Sequence, residues 1–192
     1  MTRFLFAILT VFFVSFLNPL IGELQLEYRT AAFFPFSHRF RDLYGNVGTN
    51  YQIEARTTNC FETCGCTCFE TWANLDYFSK QGRSNHCCKS RVDILNVSLG
   101  MNYVLPICYY LDAYAGIGGC VARVELKNKS CCFHEKNYKN PAGILVKTGL
   151  RYYIETYCFL DFFADYLYQP VRYHHRVDIG GFRTGVGIGI RL

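Results

Sequence analysis

Cysteine and histidine are the residues of this 192-residue chain best suited to bind a metal, and the chain has 11 of the first and 5 of the second. One group lies in two short stretches and consists of His86, Cys87, Cys88, Cys131, Cys132 and His134. Structural zinc usually takes ligands in pairs two to four residues apart, whereas these cysteines are adjacent. We therefore predict no metal and no other cofactor, and keep a zinc site as the alternative.

Catalytic chemistry would need a positioned nucleophile or base. The sequence contains no G-x-S-x-G or H-E-x-x-H motif. His174, His175 and Asp178 share one predicted loop, and His38 and Asp42 share another, which is where a lipid hydrolase of the membrane surface would carry its residues. Histidines in such loops are more often solvated than catalytic. We predict that the protein is not an enzyme, with a lipid hydrolase as the alternative.

A third group consists of charged residues that share one face of the predicted strands. Its members are Glu27, Arg29, Glu54, Arg56, Glu70, Asp76, Asp112, Lys147, Arg151, Asp161, Asp165, Arg183 and Arg191. Both signs of charge occur. Because unpaired charges are costly away from water, we expect these side chains to form a pairing network if the face is enclosed.

The strands that must position these charges are clearest at the end of the chain. In the segment 184–192, Val186, Ile188 and Ile190 alternate with glycines, which is the period of a β-strand. Glycines weaken a strand of a soluble sheet. In a membrane barrel, small residues that face the lumen, opposite an apolar row that faces lipid, are expected.

Seven further segments show the same alternation. They are 24–33, 50–57, 68–79, 92–104, 109–124, 144–154 and 159–168. The C-terminal strand, which we extend back toward Val177, is the eighth. Most are close to the roughly 9–11 residues of a tilted membrane strand. We predict an all-β fold, an eight-stranded antiparallel transmembrane β-barrel. The alternatives are a soluble, secreted, disulfide-rich binding protein and a small porin-like channel.

The N-terminal region is predominantly apolar from Phe4 to Leu17, and Asn18-Pro19 end this run. The run is short for a spanning helix, which needs roughly 17–25 residues, and suits a secretory signal. We predict a signal peptide at 1–22 and one barrel domain at 23–192. The alternative is an uncleaved anchor. The 19 basic and 15 acidic residues of 23–192 are scattered in sequence, so we predict no nucleic-acid partner.

Connections between the predicted strands are of two kinds. The shorter turns are 59–65, 106–108 and 155–158, and the longer polar loops are 35–48, 80–89, 127–142 and 169–175. Long loops on one side are typical of outer-membrane barrels, where they face the outside of the cell. Because eight strands enclose a space that side chains can fill, we predict a lumen plugged by the charged residues.

Several short stretches resemble one family. They are Ala32-Phe33-Phe34-Pro35, Phe40-Arg41-Asp42-Leu43-Tyr44-Gly45, Tyr114-Ala115-Gly116-Ile117-Gly118, Asp161-Phe162-Phe163-Ala164-Asp165-Tyr166, and Asp178-Ile179-Gly180-Gly181 with Gly187-Ile188-Gly189. Their order resembles the OmpA/OmpX-like eight-stranded outer-membrane β-barrels over nearly all of 23–192. The resemblance implies a bacterial outer-membrane location, a structural or surface-interaction role, and outer-membrane lipid and the barrel-insertion machinery as partners. Members usually end in an aromatic residue, whereas this chain ends in Leu192.

The predicted topology assigns the cysteines to two rims. Cys87, Cys88, Cys131 and Cys132 fall in outer loops, and Cys60, Cys64, Cys108 and Cys158 fall at periplasmic turns. Adjacent cysteines rarely bond each other, so we predict bridges between the two outer loops, worth roughly 2–4 kcal/mol each. The cysteine content resembles bacterial envelope proteins that are cross-linked by disulfides, which implies such proteins as possible covalent partners.

Overall fold

The period-two pattern of the sequence forms a closed barrel. The computed structural model describes residues 23–60, 68–83, 89–129, 134–172 and 176–192. In chain order, the elements are β1 (Leu24–Pro35), α1 (His38–Tyr44), β2 (Gly48–Cys60), β3 (Cys68–Arg83), β4 (Lys89–Cys108), β5 (Leu111–Lys129), β6 (His134–Lys139), β7 (Ala142–Tyr153), β8 (Cys158–Tyr168), β9 (Pro170–Arg172), β10 (Arg176–Asp178) and β11 (Gly181–Arg191). Within these ranges, no helix has the length and apolarity needed to span a membrane.

Eight of the described strands pair around a ring in the order β1, β2, β3, β4, β5, β7, β8 and β11. Each neighbouring pair is antiparallel, and β11 returns to β1 with Gln25 opposite Arg191 and Pro35 opposite Gly181. The ring leaves no unpaired sheet edge among these eight strands. The predicted fold class, an eight-stranded antiparallel barrel, is confirmed.

The barrel has apolar side chains on its outer face and charged side chains on its inner face, the reverse of a soluble protein. Outward-facing apolar side chains are well exposed, for example Val186 at 49% and Ile188 at 59%. Inward-facing charges are fully enclosed, and Arg29, Arg56 and Arg151 are 0% exposed. Exposed apolar rows around a closed barrel match an environment of lipid acyl chains, where no backbone group can be left unpaired.

The glycines of β11 leave room for larger side chains inside the barrel. A Cβ atom on Gly189 would lie 2.1 Å from the Phe159 ring, and one on Gly187 would lie 1.9 Å from a Glu27 oxygen. The alternation of glycine with branched residues therefore reflects close packing on the inner face.

The ends of the barrel are named here by their chain connections. The loop end carries the connections from β1 to β2, β3 to β4, β5 to β7 and β8 to β11, and the terminus end carries residues 23 and 192. At the terminus end the segment 106–108, predicted as a turn, is strand with a register shift, and Tyr109-Tyr110 make the turn instead.

The loop end contains more regular structure than the sequence predicted. Strands β3, β4 and β5 continue into the predicted loops 80–89 and 127–142, and β6 pairs with β5. The predicted loop 35–48 contains α1. Val177 lies in β10, which forms a hairpin with β9, rather than in the last barrel strand. These elements lie beyond the apolar rows, so the lipid-facing alternation used to predict strands does not extend to them.

Candidate functional site: the barrel interior and the loop end

The predicted charged residues all lie on inward faces of the barrel strands. Eleven of them are buried, and Asp112 and Arg191 are half-buried nearer the terminus end. At that end Arg191 Nε lies 3.0 Å from a Glu23 oxygen. The structure thus brings the predicted set into one interior.

Arg29 on β1 lies at the centre of this interior. Its guanidinium lies 3.1 Å from a Glu54 oxygen, 2.8 Å from an Asp161 oxygen and 3.2 Å from a Glu27 oxygen. The Arg29 carbon Cζ also lies 3.7 Å from the centre of the Phe163 ring, a cation–π distance. One cation therefore holds carboxylates from three strands, β1, β2 and β8.

Two contacts cross the full width of the barrel. Lys147 on β7 donates to Glu54 on β2, and these strands are four positions apart in the ring of eight. Arg29 on β1 donates to the Tyr114 hydroxyl on β5 at 2.7 Å, again four positions away. Tyr114 in turn donates to Asp161 at 2.8 Å. Side chains from opposite walls therefore meet in the middle of the bore.

Bidentate pairs lie above and below this centre. Toward the terminus end, Arg151 donates to both Glu70 oxygens at 2.7 and 3.0 Å. Toward the loop end, Arg183 donates to both Asp76 oxygens at 2.9 and 3.3 Å. Such fork-shaped pairs are stronger and more directional than single contacts. The remaining cation, Arg56, pairs with Glu27.

An apolar cluster of buried residues lies at the loop end of the interior. The Phe78 ring lies 5.1 Å from that of Phe33 and 6.2 Å from that of Phe40 on α1. The Tyr44 hydroxyl, also on α1, is hydrogen-bonded to Ser90 at 2.9 Å. We call this group the aromatic cap, and its buried members are Phe33, Phe40, Tyr44, Phe78, Val92, Ile94, Ala122, Val124, Val171 and Ile179.

A glycine permits the close approach of α1. A Cβ atom on Gly82 of β3 would lie 2.4 Å from the Leu43 carbonyl oxygen and 2.8 Å from the Tyr44 ring. The aromatic cap was not predicted. Its sequence signal is a pair of consecutive apolar residues near the loop end of a strand, as in Phe33-Phe34, Tyr77-Phe78 and Ile94-Leu95, where both faces become apolar.

The extension of β4 and β5 beyond the apolar rows carries a separate charged group. Asp93 accepts hydrogen bonds from Ser79 at 2.7 Å, Arg91 at 2.9 Å and Lys127 at 3.0 Å. Burial raises the pKa of the Asp93 carboxyl, but these three donors outweigh burial and lower the pKa to about 2. The carboxylate therefore ties three strands together while it is ionised.

Acidification should loosen this extension. The folded pKa of Asp93 lies below the value of about 3.9 for an unfolded chain, so its stabilisation is present above pH 4 and is lost as the pH falls toward 2. Hydrogen-exchange protection factors of β4 and β5 amides near Asp93 should fall between pH 5 and pH 2.5. Asp93→Asn should show the low protection at both pH values. Equal pH dependence in the variant and the wild type would contradict the assignment.

Comparison with known proteins identifies the fold. No protein-family profile and no curated protein sequence matches the chain. Among solved structures, OprG from Pseudomonas aeruginosa has a TM-score of 0.64 and 14% identity, over 89% of this chain and 96% of its own. The attachment invasion locus protein Ail of Yersinia pestis, solved with the heparin analogue sucrose octasulfate, has a TM-score of 0.59 and 11% identity, over 89% and 99%. The chain has the fold of an eight-stranded outer-membrane β-barrel.

Neisserial surface protein A is another barrel of this fold, with a TM-score of 0.58 and 12% identity over 88% of this chain and 97% of its own. The three similar structures are outer-membrane or surface proteins, in agreement with the exposed apolar rows of this barrel. Both observations support location in a bacterial outer membrane.

The cysteines of this outer-membrane barrel are only partly described. Cys108 is exposed and Cys158 half-buried at the terminus end, and both are unbonded thiols, as is the buried Cys120. Cys60 lies opposite Cys68 in the β2–β3 register. The predicted disulfide candidates Cys64, Cys87, Cys88, Cys131 and Cys132 lie outside the described residues.

The described residues of the hydrolase alternative, His38, Asp42 and Asp178, do not belong to the interior charged set. His38 Nδ1 lies 3.3 Å from an Asp42 oxygen on the exposed side of α1. Asp178 accepts from the backbone N–H groups of Gln169 at 3.0 Å and Gly180 at 2.8 Å, so it orders a turn. His86, His174 and His175 lie outside the described residues, and of His134 only the backbone position in β6 is described.

Proposed function

We propose that this protein is a non-enzymatic outer-membrane barrel with a closed lumen, whose role is structural or surface-interacting. The observation that carries the proposal is the Lys147–Glu54 contact between opposite walls. The bidentate Arg151–Glu70 and Arg183–Asp76 pairs lie below and above it, and the aromatic cap covers the loop end. Ions that enter the bore would have to break buried charge pairs, which is costly.

The same fold supports an orientation. In outer-membrane barrels the longer loops face outward, so the loop end with α1 and the β4–β5 extension would face the cell exterior. Residues 23 and 192 would then face the periplasm, and insertion would depend on the barrel-insertion machinery. Ail and Neisserial surface protein A are named for attachment and surface location. We extend a surface-interaction role to this chain on that basis.

Disulfides would brace the exposed loops in this proposal. Lys89 at the start of β4 lies opposite Lys129 at the end of β5. In the sequence, Cys87-Cys88 directly precede the first of these residues and Cys131-Cys132 follow the second, which supports a bridge between the two loops. Eleven is an odd number of cysteines, which leaves a thiol for a bond to another envelope protein.

Planar-bilayer recording tests the closed lumen. The purified wild-type barrel should give no steady current, because the paired side chains fill the bore. The double variant Lys147→Ala with Glu54→Ala removes both members of one cross-bore pair, while Arg29 keeps its contacts with Glu27 and Asp161. It should give brief current events, because the flanking Arg151–Glu70 and Arg183–Asp76 pairs remain. Val146→Ala, on the opposite face of the same strand, is the control and should stay silent. Steady current through the wild type would instead identify a small porin.

A further inference from the structure

The basic residues of the chain are concentrated at the loop end. Of the 19 lysines and arginines in 23–192, six belong to the interior set and 13 lie in the loop-end connections and strand extensions. These 13 are Arg39, Arg41, Lys80, Arg83, Lys89, Arg91, Arg123, Lys127, Lys129, Lys136, Lys139, Arg172 and Arg176. Five acidic residues share the same segments, Asp42, Asp93, Glu125, Glu135 and Asp178, so this part has a net charge of +8 and the rest of 23–192 has −4.

Strand register assembles part of this charge into rows across β4, β5 and β6. Arg91 lies directly opposite Lys127, which lies directly opposite Lys136 on β6. One pair further along the ladder, Lys89 lies opposite Lys129. Like charges placed directly opposite each other destabilise an antiparallel pair. The adjacent rung is Asp93 opposite Glu125, and an anion bound across the rows would offset the positive charge that these two carboxylates leave.

Three of these cations are described in detail and face outward. The Arg91 side chain is 46% exposed and that of Lys127 is 38% exposed. Both pair with Asp93, and the Lys127 ammonium also lies 3.3 Å from a Glu125 oxygen. Arg123 is exposed and lies opposite the outward-facing Leu95, with its guanidinium 5.3 Å from the Tyr138 ring. Each guanidinium or ammonium group can therefore reach a ligand on the outside of the barrel wall.

The position of these cations along the barrel axis determines which anions they can reach. On β4 the outward residues run from Val97 and Leu95, which are exposed apolar side chains, to Asp93 and then Arg91. On the same face of the sheet, Arg123 lies level with Leu95 at the end of the lipid-facing row, the rung of Asp93 opposite Glu125 follows, and Arg91 opposite Lys127 comes next. The groups found at that height in the outward leaflet of an outer membrane are the phosphates of its glycolipid.

We propose that the outward face at Arg91, Lys127 and Arg123, here called the basic wall, binds phosphate groups of outer-leaflet glycolipid. The site takes lipid-bound phosphate from the side, rather than a soluble polyanion from above. It depends on the membrane-spanning fold and the outward orientation of the loop end. It does not depend on whether the lumen is closed. The conductance experiment can therefore contradict the closed lumen without contradicting the basic wall, and the lipid-binding experiment can do the reverse.

Binding of purified lipid A by the full barrel in detergent tests the basic wall. Native mass spectrometry with bis-phosphorylated lipid A should show bound lipid, and dephosphorylated lipid A should bind much more weakly. Loss of one surface cation should weaken affinity about 5-fold, as for basic residues near anionic membranes, so Arg91→Gln with Lys127→Gln should weaken it on the order of 20-fold.

A matched double variant, Arg39→Gln with Arg41→Gln, removes the same charge from α1 and should bind lipid A like the wild type. If both double variants lose affinity equally, net charge rather than the basic wall attracts the lipid, and the proposal is wrong. Equal binding of dephosphorylated lipid, or saturation by inorganic phosphate alone at the same sites, would also overturn it. Arg123→Gln leaves the Asp93 contacts intact and gives an independent test if the double variant does not fold.

Discussion

Replacing Arg29 with methionine should destabilise the barrel by roughly 3–5 kcal/mol, the cost of removing one partner from a buried ion pair. The change leaves Glu27, Glu54 and Asp161 without the cation that lies within 3.2 Å of each of them. It also removes the contact with Phe163. Urea unfolding of the barrel refolded into lipid vesicles measures the loss. The emission of Trp72, the single tryptophan of the chain, reports it, because Trp72 lies on the inner face 4.3 Å from the Lys147 ammonium.

Two controls separate charge from packing. Thr30→Val changes the neighbouring residue on the outward face and should alter the free energy of unfolding by less than about 0.5 kcal/mol, as is usual for substitutions away from special features. Arg29→Met combined with Asp161→Asn removes one of the stranded charges and should recover part of the loss. If the single variant were as stable as the wild type, the interior would be wet and the network would not hold the walls together.

Replacing Val186 with arginine should cost about 2–4 kcal/mol, the range for a cation on the lipid face of a barrel near the bilayer midplane. Val186 is the middle one of the five outward residues of β11 between Phe182 and Ile190, and it is 49% exposed. Its side chain has no route to the interior, because the inward positions beside it are glycines packed against β1. The same unfolding assay measures the effect.

The matched control is the same substitution at a different depth in the membrane. Phe182→Arg places the same guanidinium near the end of the apolar row, where the cost falls to about 0–1 kcal/mol. A difference of this kind between the two variants reports a bilayer around the barrel. Equal and small costs at both positions would mean that water, rather than acyl chains, surrounds β11, and the membrane assignment would be wrong.

The faces of the strands were predictable from the sequence, but the contacts made inside were not. Alternation alone placed Arg29, Glu54 and Lys147 on inward faces. Glu54 and Lys147 are 93 residues apart, and their meeting depends on how the strands are staggered around a closed ring. Local patterns carry no information on that stagger. The sequence therefore predicts that a charge network forms, but not which side chains pair in it.

The loop end was less predictable for a different reason. Beyond the lipid the outer face needs no apolar row, so strand prediction ended β3 at Ser79 although it continues to Arg83. The basic residues looked scattered because Arg91 and Lys127 lie 36 positions apart, and only the β4–β5 register places them side by side. The Phe40 side chain of α1 was assigned to a polar loop because a single short helix shows little periodicity.

The seam between β1 and β11 constrains how this molecule can be made. The barrel closes only when its first and last strands pair, from Gln25 with Arg191 to Pro35 with Gly181. Arg29 finds Asp161, and Arg183 finds Asp76, only when distant parts of the polypeptide are already present. Closure of the barrel therefore requires β11 as well as β1, and a sheet that lacked either strand would leave buried charges without their partners.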